Sequence, residues 1–178
     1  MAVMLTGKGA AQEQSPSRGV VFIHSCPRAL SPHLEWSLTA VFGSEVHVDW
    51  SAQPISPGAV RGEFIWTDTP GTGARLASAL LAFSQVRFEV TEDGIPGRDG
   101  ERFAATPGLG LFRANIGPFG DVMVHEDRLR TALVRADSDG GSVRHEIARL
   151  IGTPWDDELE PFRSAHEGST VRLMHQVV

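Results

Sequence analysis

A chain of 178 residues that is 41% hydrophobic and 21% charged has the composition of one compact domain with a sizeable core, not of a disordered protein. Its formal net charge of −6 disfavours nucleic-acid binders and proteins that adhere to anionic lipid, because both classes need a basic surface. The single cysteine, Cys26, excludes an internal disulfide, and no apolar run reaches the roughly 20 residues of a membrane helix.

The first segment, residues 1–17, is rich in Gly, Ala, Gln and Ser and has no hydrophobic period, which predicts a mobile tail. It lacks the sustained apolar region of a signal peptide, so a cytoplasmic protein is expected. The rest of the chain, residues 18–178, is predicted to form a single α+β domain. It divides into a core over residues 18–92 and a C-terminal elaboration over residues 101–178.

Two consecutive strand–helix–strand units are predicted in the core. The predicted elements are strands at residues 20–23, 46–50, 63–66 and 86–90 and helices at residues 31–42 and 72–83. Apolar residues repeat at helical spacing in both helices and alternate in the strands at 46–50 and 86–90. The order β-α-β-β-α-β predicts a ferredoxin-like, four-stranded antiparallel sheet with both helices on one face. Trp36, Trp50 and Trp66 are expected to fill the core.

The C-terminal elaboration is predicted to contain a hairpin around residues 117–120, three short helices and a closing strand at residues 171–178. The last helix has a clear start, because Thr153-Pro154 supplies a cap and a first-turn proline and two acidic residues follow. These elements are expected to pack on the core, since alone they would bury too little apolar surface.

Six stretches of the chain together resemble an uncharacterised actinobacterial family that is catalogued only as a domain of unknown function. They are Arg18–His24, Pro27–Leu30, His33–Trp36, Arg87–Thr91, Thr153–Arg163 and Met174–Val178. The resemblance runs from about Arg18 to the C-terminus. It implies an actinobacterial, cytoplasmic, single-domain protein and carries over no catalytic residue.

The predicted topology places the ends of the first two strands at the same sheet edge as the starts of the next two. Seven chemistry-bearing residues would gather there: His24, Cys26, Arg28, Asp49, Arg61, Glu63 and Arg87. The catalytic candidates are His24 as base, Cys26 as nucleophile and Asp49 as the carboxylate that orients the histidine. The ligand-binding candidates are Arg28, Arg61, Glu63 and Arg87, since arginines bind carboxylates or phosphates. The favoured alternative is a solvated sheet face with charges paired across strands.

Two glycine- or cysteine-containing turns have both a functional and a structural interpretation. A thiolate at Cys26, near a helix start and Arg28, would have a lowered pKa, although a buried cysteine that acts as a small hydrophobe is the favoured interpretation. Backbone N–H groups of Gly71–Arg75 could cradle an anion, but a tight turn explains the glycines equally well. None of the seven histidines has the spacing of a helical metal site, so no metal and no cofactor are predicted.

The start of the last helix is the candidate surface for a protein partner. Its proposed docking residues are Trp155, Asp156, Asp157, Glu158 and Phe162. The leading hypothesis is a non-enzymatic binding, accessory or regulatory module for a protein partner, a second copy or a small ligand. One alternative is an enzyme that acts on a small anionic substrate at the His24/Asp49 sheet edge. A weaker alternative is RNA binding through the open sheet face by Phe22, Phe64 and Phe88, which Glu63 and Glu89 disfavour.

Overall fold

The structure is a computed structural model, and it describes residues 15–138 and 142–165. The strands are β1 (Ser17–Pro27), β2 (Ser51–Ala52), β3 (Ala59–Asp68), β4 (Arg87–Glu92), β5 (Gly100–Thr106), β6 (Gly110–Ile116) and β7 (Val122–Met123). The helices are α1 (Ser31–Phe42), α2 (Thr72–Leu81), α3 (Glu126–Ser138), α4 (Val143–Ile151) and α5 (Thr153–Ser164), with a 3-10 turn at Arg28–Leu30. The predicted closing strand at 171–178 and most of the predicted tail lie outside the described residues.

All seven strands form one antiparallel sheet in the order β2-β3-β1-β4-β5-β6-β7. The predicted α+β class is therefore correct, but one sheet of seven strands replaces the predicted ferredoxin-like sheet of four strands. The segment expected to be a flexible connection instead turns back at the Ile95–Arg98 bridge and continues into β5. The sheet thus runs across the boundary expected between residues 92 and 101.

The prediction of a strand at residues 46–50 is wrong, because this segment pairs with no strand and only Ser51–Ala52 joins the sheet edge. Side chains of α1 take the place of a neighbouring strand. The backbone N–H of Val46 donates to Thr39 Oγ1 at 3.0 Å, and that of Val48 donates to Glu35 Oε1 at 2.9 Å. The apolar alternation is real, since Val48 is buried, but helix packing rather than strand pairing produces it.

The main core lies between one sheet face and the pair α1 and α2. Its largest fully buried side chains include Ile23, Leu34, Leu38, Leu76 and Phe88. Of the three tryptophans expected there, Trp66 is buried and Trp50 is half-buried. The prediction for Trp36 is wrong, because its side chain lies on the outer surface of α1 and is 74% exposed.

The opposite face of the sheet carries α5, which packs on β5 and β6 around a second, smaller core. Its buried residues are Ala104, Phe112, Ala114, Trp155 and Leu159. Before it, α3 packs on α4 and α4 on α5, so the two helices form a hairpin beside the sheet. Among the described helices, none combines the length and apolar character that crossing a membrane requires.

Candidate functional site

A buried network of ionisable side chains joins the central strands to α5. Its members, here called the ion cluster, are His24, Glu89, Arg102, Asp156 and Arg163. His24 Nε2 lies 2.7 Å from Glu89 Oε2, and Arg102 donates to Glu89 Oε1 at 2.8 Å. Arg163 donates to both oxygens of Glu89 and, at 2.8 Å, to Asp156, which also accepts from Arg102. The cluster holds two carboxylates against two guanidinium groups, so its fixed charges balance.

The electrostatics of the ion cluster keep its acid ionised. Burial alone would raise the pKa of Glu89, but the hydrogen bonds and charges of His24 and Arg163 outweigh burial and hold the pKa well below its ordinary range. Burial likewise would lower the pKa of Arg102 and Arg163, and the paired carboxylates raise it instead. A general acid or base needs a pKa near the working pH. Glu89 is therefore set up as a fixed anion that holds α5 on the sheet.

The three catalytic candidates are not assembled into one arrangement. His24 meets Glu89, whereas Asp49 is exposed in the segment before β2. Cys26 is buried in the main core and donates to the Pro27 carbonyl at 3.3 Å. Burial raises the pKa of the Cys26 thiol to about 11, which is the direction opposite to that of an activated nucleophile. The buried, hydrophobe-like interpretation of this cysteine agrees with the structure.

The four ligand-binding candidates do not come together in one site either. Arg61 donates to the Phe162 carbonyl at 3.3 Å, and Arg87 pairs with Glu158 at 3.1 Å and lies 4.5 Å above the Phe162 ring. The side chains of Arg28 and Glu63 are exposed. Two of the expected clamp residues therefore bind α5 rather than forming a shared anion site.

The surface predicted for a protein partner is mostly used inside the chain. Trp155 is buried against Phe112, with ring centroids 5.2 Å apart, and its Nε1 donates to the Gly110 carbonyl at 2.9 Å. Asp156 belongs to the ion cluster, Glu158 accepts from Arg87 and from Thr106, and Phe162 lies under Arg87. Of the five predicted docking residues only Asp157 is exposed. Four of the five residues predicted to dock a partner therefore contact the sheet of the same chain.

The weaker alternative, RNA binding through the free sheet face, requires exposed aromatic rings. None of the three phenylalanines proposed for stacking is fully exposed. Phe88 is buried in the main core and Phe64 packs against that core. Phe22 lies on the α5 side, half-buried and stacked on His24 with ring centroids 5.9 Å apart. In the described part of the chain this face presents no row of exposed aromatic rings, since α5 packs on it at β1 and β5 and the exposed residues on β3, such as Ile65, are not aromatic.

The glycine-containing turn at the start of α2 already holds an anion that belongs to the chain. The Glu92 carboxylate accepts from the backbone N–H of Gly71 at 2.7 Å and from that of Gly73 at 2.8 Å. A carboxylate at a helix N-terminus is stabilised by the free N–H groups and by the helix dipole. The sequence indicated these N–H groups but not the carboxylate that binds them. The sequence feature that could have identified this carboxylate is the position of Glu92 at the end of β4, because α2 packs on β4.

An open depression of about 280 Å³ lies where β1 is irregular. The register of β1 breaks against β3 between Ile23 and Cys26, and against β4 between Ile23 and Ser25. A bulge of this kind redirects side chains next to it. Gln53 accommodates the irregularity, because its Nε2 donates to the His24 carbonyl at 2.6 Å. Ser25 and Arg87 line the depression from the sheet.

Metal binding has no obvious place in the described residues. Over 15–138 and 142–165, no three His, Cys, Asp or Glu side chains come together as a set of possible ligands.

Comparison with known proteins gives a family without an assigned activity. A search of curated proteins finds no match. Among solved structures, the apo form of LarC2, the C-terminal domain of a cyclometallase involved in the synthesis of the NPN cofactor of lactate racemase, is similar over 80% of this chain and 98% of that one. The identity is 8% and the TM-score is 0.27, which carries no argument about this chain. A family match covers residues 20–176, so the chain belongs to the family described as Protein of unknown function (DUF3145).

Proposed function

We propose that this protein is a non-enzymatic accessory module that binds an acidic protein partner through the hairpin of α3 and α4. The observation that carries the proposal is that α4 has no buried residue, although four of its nine residues are large and apolar. A helix of a globular protein ordinarily buries its apolar stripe against its own core.

The apolar side chains of the hairpin recur at four-residue spacing, which puts them on one face of each helix. Five of them, here called the apolar strip, are Leu129 (38% exposed), Leu133 (50%), Val143 (37%), Ile147 (39%) and Ile151 (42%). Among the side chains of residues 126–136, the buried ones are the small Ala132 and Ala136, so the hairpin closes through small side chains and leaves the larger ones accessible. Clustered apolar exposure of this kind is typical of interaction sites.

The charges around the strip indicate the chemistry of the occupant. The two helices contain five arginines, at 128, 130, 135, 144 and 149, against four carboxylates, at 126, 127, 137 and 146. Five arginines minus four carboxylates leave the two helices with a net charge of +1, whereas the chain as a whole has −6, so the hairpin is less acidic than the rest of the molecule. A partner that presents apolar side chains flanked by carboxylates fits this surface, and complementary charges favour its encounter and orientation.

The state of the other candidate sites supports a non-enzymatic role. The ion cluster pairs its acids and arginines with each other, and the Cys26 thiol is buried and protonated. Neither presents an accessible acid, base or nucleophile of the kind that catalysis uses, because His24 is 5% exposed and paired with Glu89 and the Cys26 thiol is buried.

The test is site-specific photo-crosslinking in the native host. A photoreactive phenylalanine analogue replaces Leu133 or Ile147 on the strip, and in a control variant it replaces Ser78, which is exposed on α2. The strip variants are expected to give one dominant adduct that the Ser78 variant lacks. The crosslinked peptide of the partner should combine apolar and acidic residues. The purified pair should bind about tenfold more weakly when Arg144 and Arg149 are both changed to Glu.

Three outcomes would overturn the proposal. An adduct of twice the chain's own mass would assign the strip to self-association. A crosslink within one chain to residues 166–178 would show that the strip is covered intramolecularly. If the strip variants give no adduct beyond the amount that the Ser78 control variant gives, the strip has no partner and the proposal is wrong.

A further inference from the structure

The depression beside the β1 irregularity has a lining that is rich in hydrogen-bond donors. Ser25 and Arg87 contribute from the sheet, Ser56 and Gly58 from the turn before β3, and Gln85 from the residues before β4. Arg28 stands next to it, because its backbone N–H donates to the Gly58 carbonyl at 3.0 Å. The lining therefore comes from three separate parts of the chain, brought together where β1 loses its regular register.

Several of these donors have no use within the fold. Among the described residues, the hydroxyls of Ser25 and Ser56 and the amide of Gln85 have no side-chain hydrogen bond. Ser25 is only 3% exposed, so it has little access to bulk water. Among the described residues the buried side-chain atoms without a partner are Trp66 Nε1 and Thr91 Oγ1, so the Ser25 hydroxyl keeps its small exposure to solvent, where water or a ligand can satisfy it. The depression is where such a ligand can reach Ser25.

The local charges select the ligand. Arg87 is the one charged residue of the lining, and Glu158 on α5 already accepts from its Nε at 3.2 Å. Arg61 donates to the carbonyl of Phe162, the residue that lies under Arg87, so positive charge outweighs the one carboxylate of Glu158 around Arg87. This excess of positive charge favours an anionic ligand, and the Glu158 carboxylate beside Arg87 favours a singly charged ligand over a phosphate dianion.

We propose that this depression binds the carboxylate group of a small organic acid. Arg87 supplies the charge-assisted hydrogen bond, and the Ser25 and Ser56 hydroxyls donate to the same carboxylate. A volume of about 280 Å³ is slightly below the range of about 300–1,000 Å³ of pockets for drug-sized ligands, which favours an acid of only a few carbon atoms. The site is separate from the apolar strip and does not depend on the proposed partner.

The test is a titration of the ¹⁵N-labelled full chain, followed by amide chemical shifts at constant ionic strength. Sodium acetate and propionate are the probes, with sodium chloride and inorganic phosphate as comparisons. We expect saturable shifts at Ser25, Ser56 and Gly58, with half-saturation at millimolar carboxylate. Phosphate should bind at least several-fold more weakly, and chloride should give no saturable shift.

Four variants connect the shifts to the named side chains. Ser25→Ala should weaken carboxylate binding about tenfold while leaving the fold intact, because it removes one hydroxyl. Arg87→Gln should abolish saturation, and Glu158→Gln should tighten binding because it frees Arg87. Arg75→Gln, which alters an exposed arginine of α2, should change nothing. Shifts that do not saturate, tighter binding of phosphate than of acetate, or indifference to Ser25→Ala would each overturn the proposal.

Discussion

Arg163 on α5 donates two hydrogen bonds to the carboxylate of Glu89 on β4, from Nε to Oε2 at 2.9 Å and from Nη2 to Oε1 at 2.7 Å. This two-point geometry is the strongest form of arginine–carboxylate pair. Glu89 is 8% exposed, so water cannot replace the lost partner when the arginine is removed. The pair is therefore a principal attachment of α5 to the sheet.

Changing Arg163 to Met should lower the free energy of unfolding by about 3 kcal/mol, because it leaves a buried carboxylate partly uncompensated. Urea denaturation of the full chain measures the change. The control is Arg130→Met, which breaks an exposed pair with Glu126 on α3 and should cost less than about 1 kcal/mol. Equal losses in the two variants would show that the Arg163 pair stabilises no more than a surface contact.

The lowered pKa of Glu89 predicts how stability depends on pH. A carboxyl whose pKa is lower in the folded state contributes stability that is complete above its unfolded value, 4.5, and is lost as the pH falls below it. The wild-type chain should therefore lose stability more steeply between pH 6 and pH 3 than Glu89→Gln, which has no proton to bind at this position. Urea midpoints at several pH values measure the difference.

Glu63→Gln is the control for the pH experiment, because it removes an exposed carboxylate from the neighbouring strand β3. Its pH profile should follow the wild type closely. A Glu89→Gln profile parallel to the wild type would mean that Glu89 has the same pKa in the folded and unfolded chains.

The burial of Cys26 predicts an inert thiol. A rise in pKa from 9.0 to about 11 reduces the thiolate fraction about 100-fold at neutral pH, and burial blocks reagents as well. Alkylation by iodoacetamide should accordingly be at least about 100-fold slower in the native chain than in the urea-unfolded chain. Native and unfolded rates within a factor of a few would instead show that the thiol is accessible, and would reopen its candidacy as a nucleophile.

The sequence was sufficient to predict elements whose hydrogen bonds are local or whose hydrophobic pattern is unambiguous. Both core helices, and the strands that became β1, β3 and β4, appear close to their predicted positions. The apolar alternation at residues 46–50 led to a wrong strand prediction, because it shows only that one side of the segment is buried. Strand pairing and side-chain hydrogen bonds from a helix give the same pattern, and Glu35 and Thr39 supply the latter.

The missed strand β5 shows why the ion cluster could not be predicted. Its seven residues are all buried, yet it includes Glu101 and Arg102, whose charges suggested an exposed connection. These charges are buried only because Arg98 and Arg113 pair with Glu101, and Asp156 and Glu89 pair with Arg102. Those partners lie up to 54 residues away in sequence. Long-range pairing of this kind leaves no periodic signal in the chain.

Two tryptophans show most clearly which side chains are buried and which face solvent. Trp155 on α5 is 7% exposed, packs on Phe112 and satisfies its indole N–H at the Gly110 carbonyl, whereas Trp36 on α1 is 74% exposed. Trp155→Ala should lower the free energy of unfolding by about 3–5 kcal/mol, because it opens a cavity under the helix and removes a hydrogen bond. Trp36→Ala should change it by no more than about 0.5 kcal/mol, as surface substitutions do. Chemical denaturation compares them directly, and a Trp155 variant as stable as the Trp36 variant would mean that α5 is not held on the sheet as described.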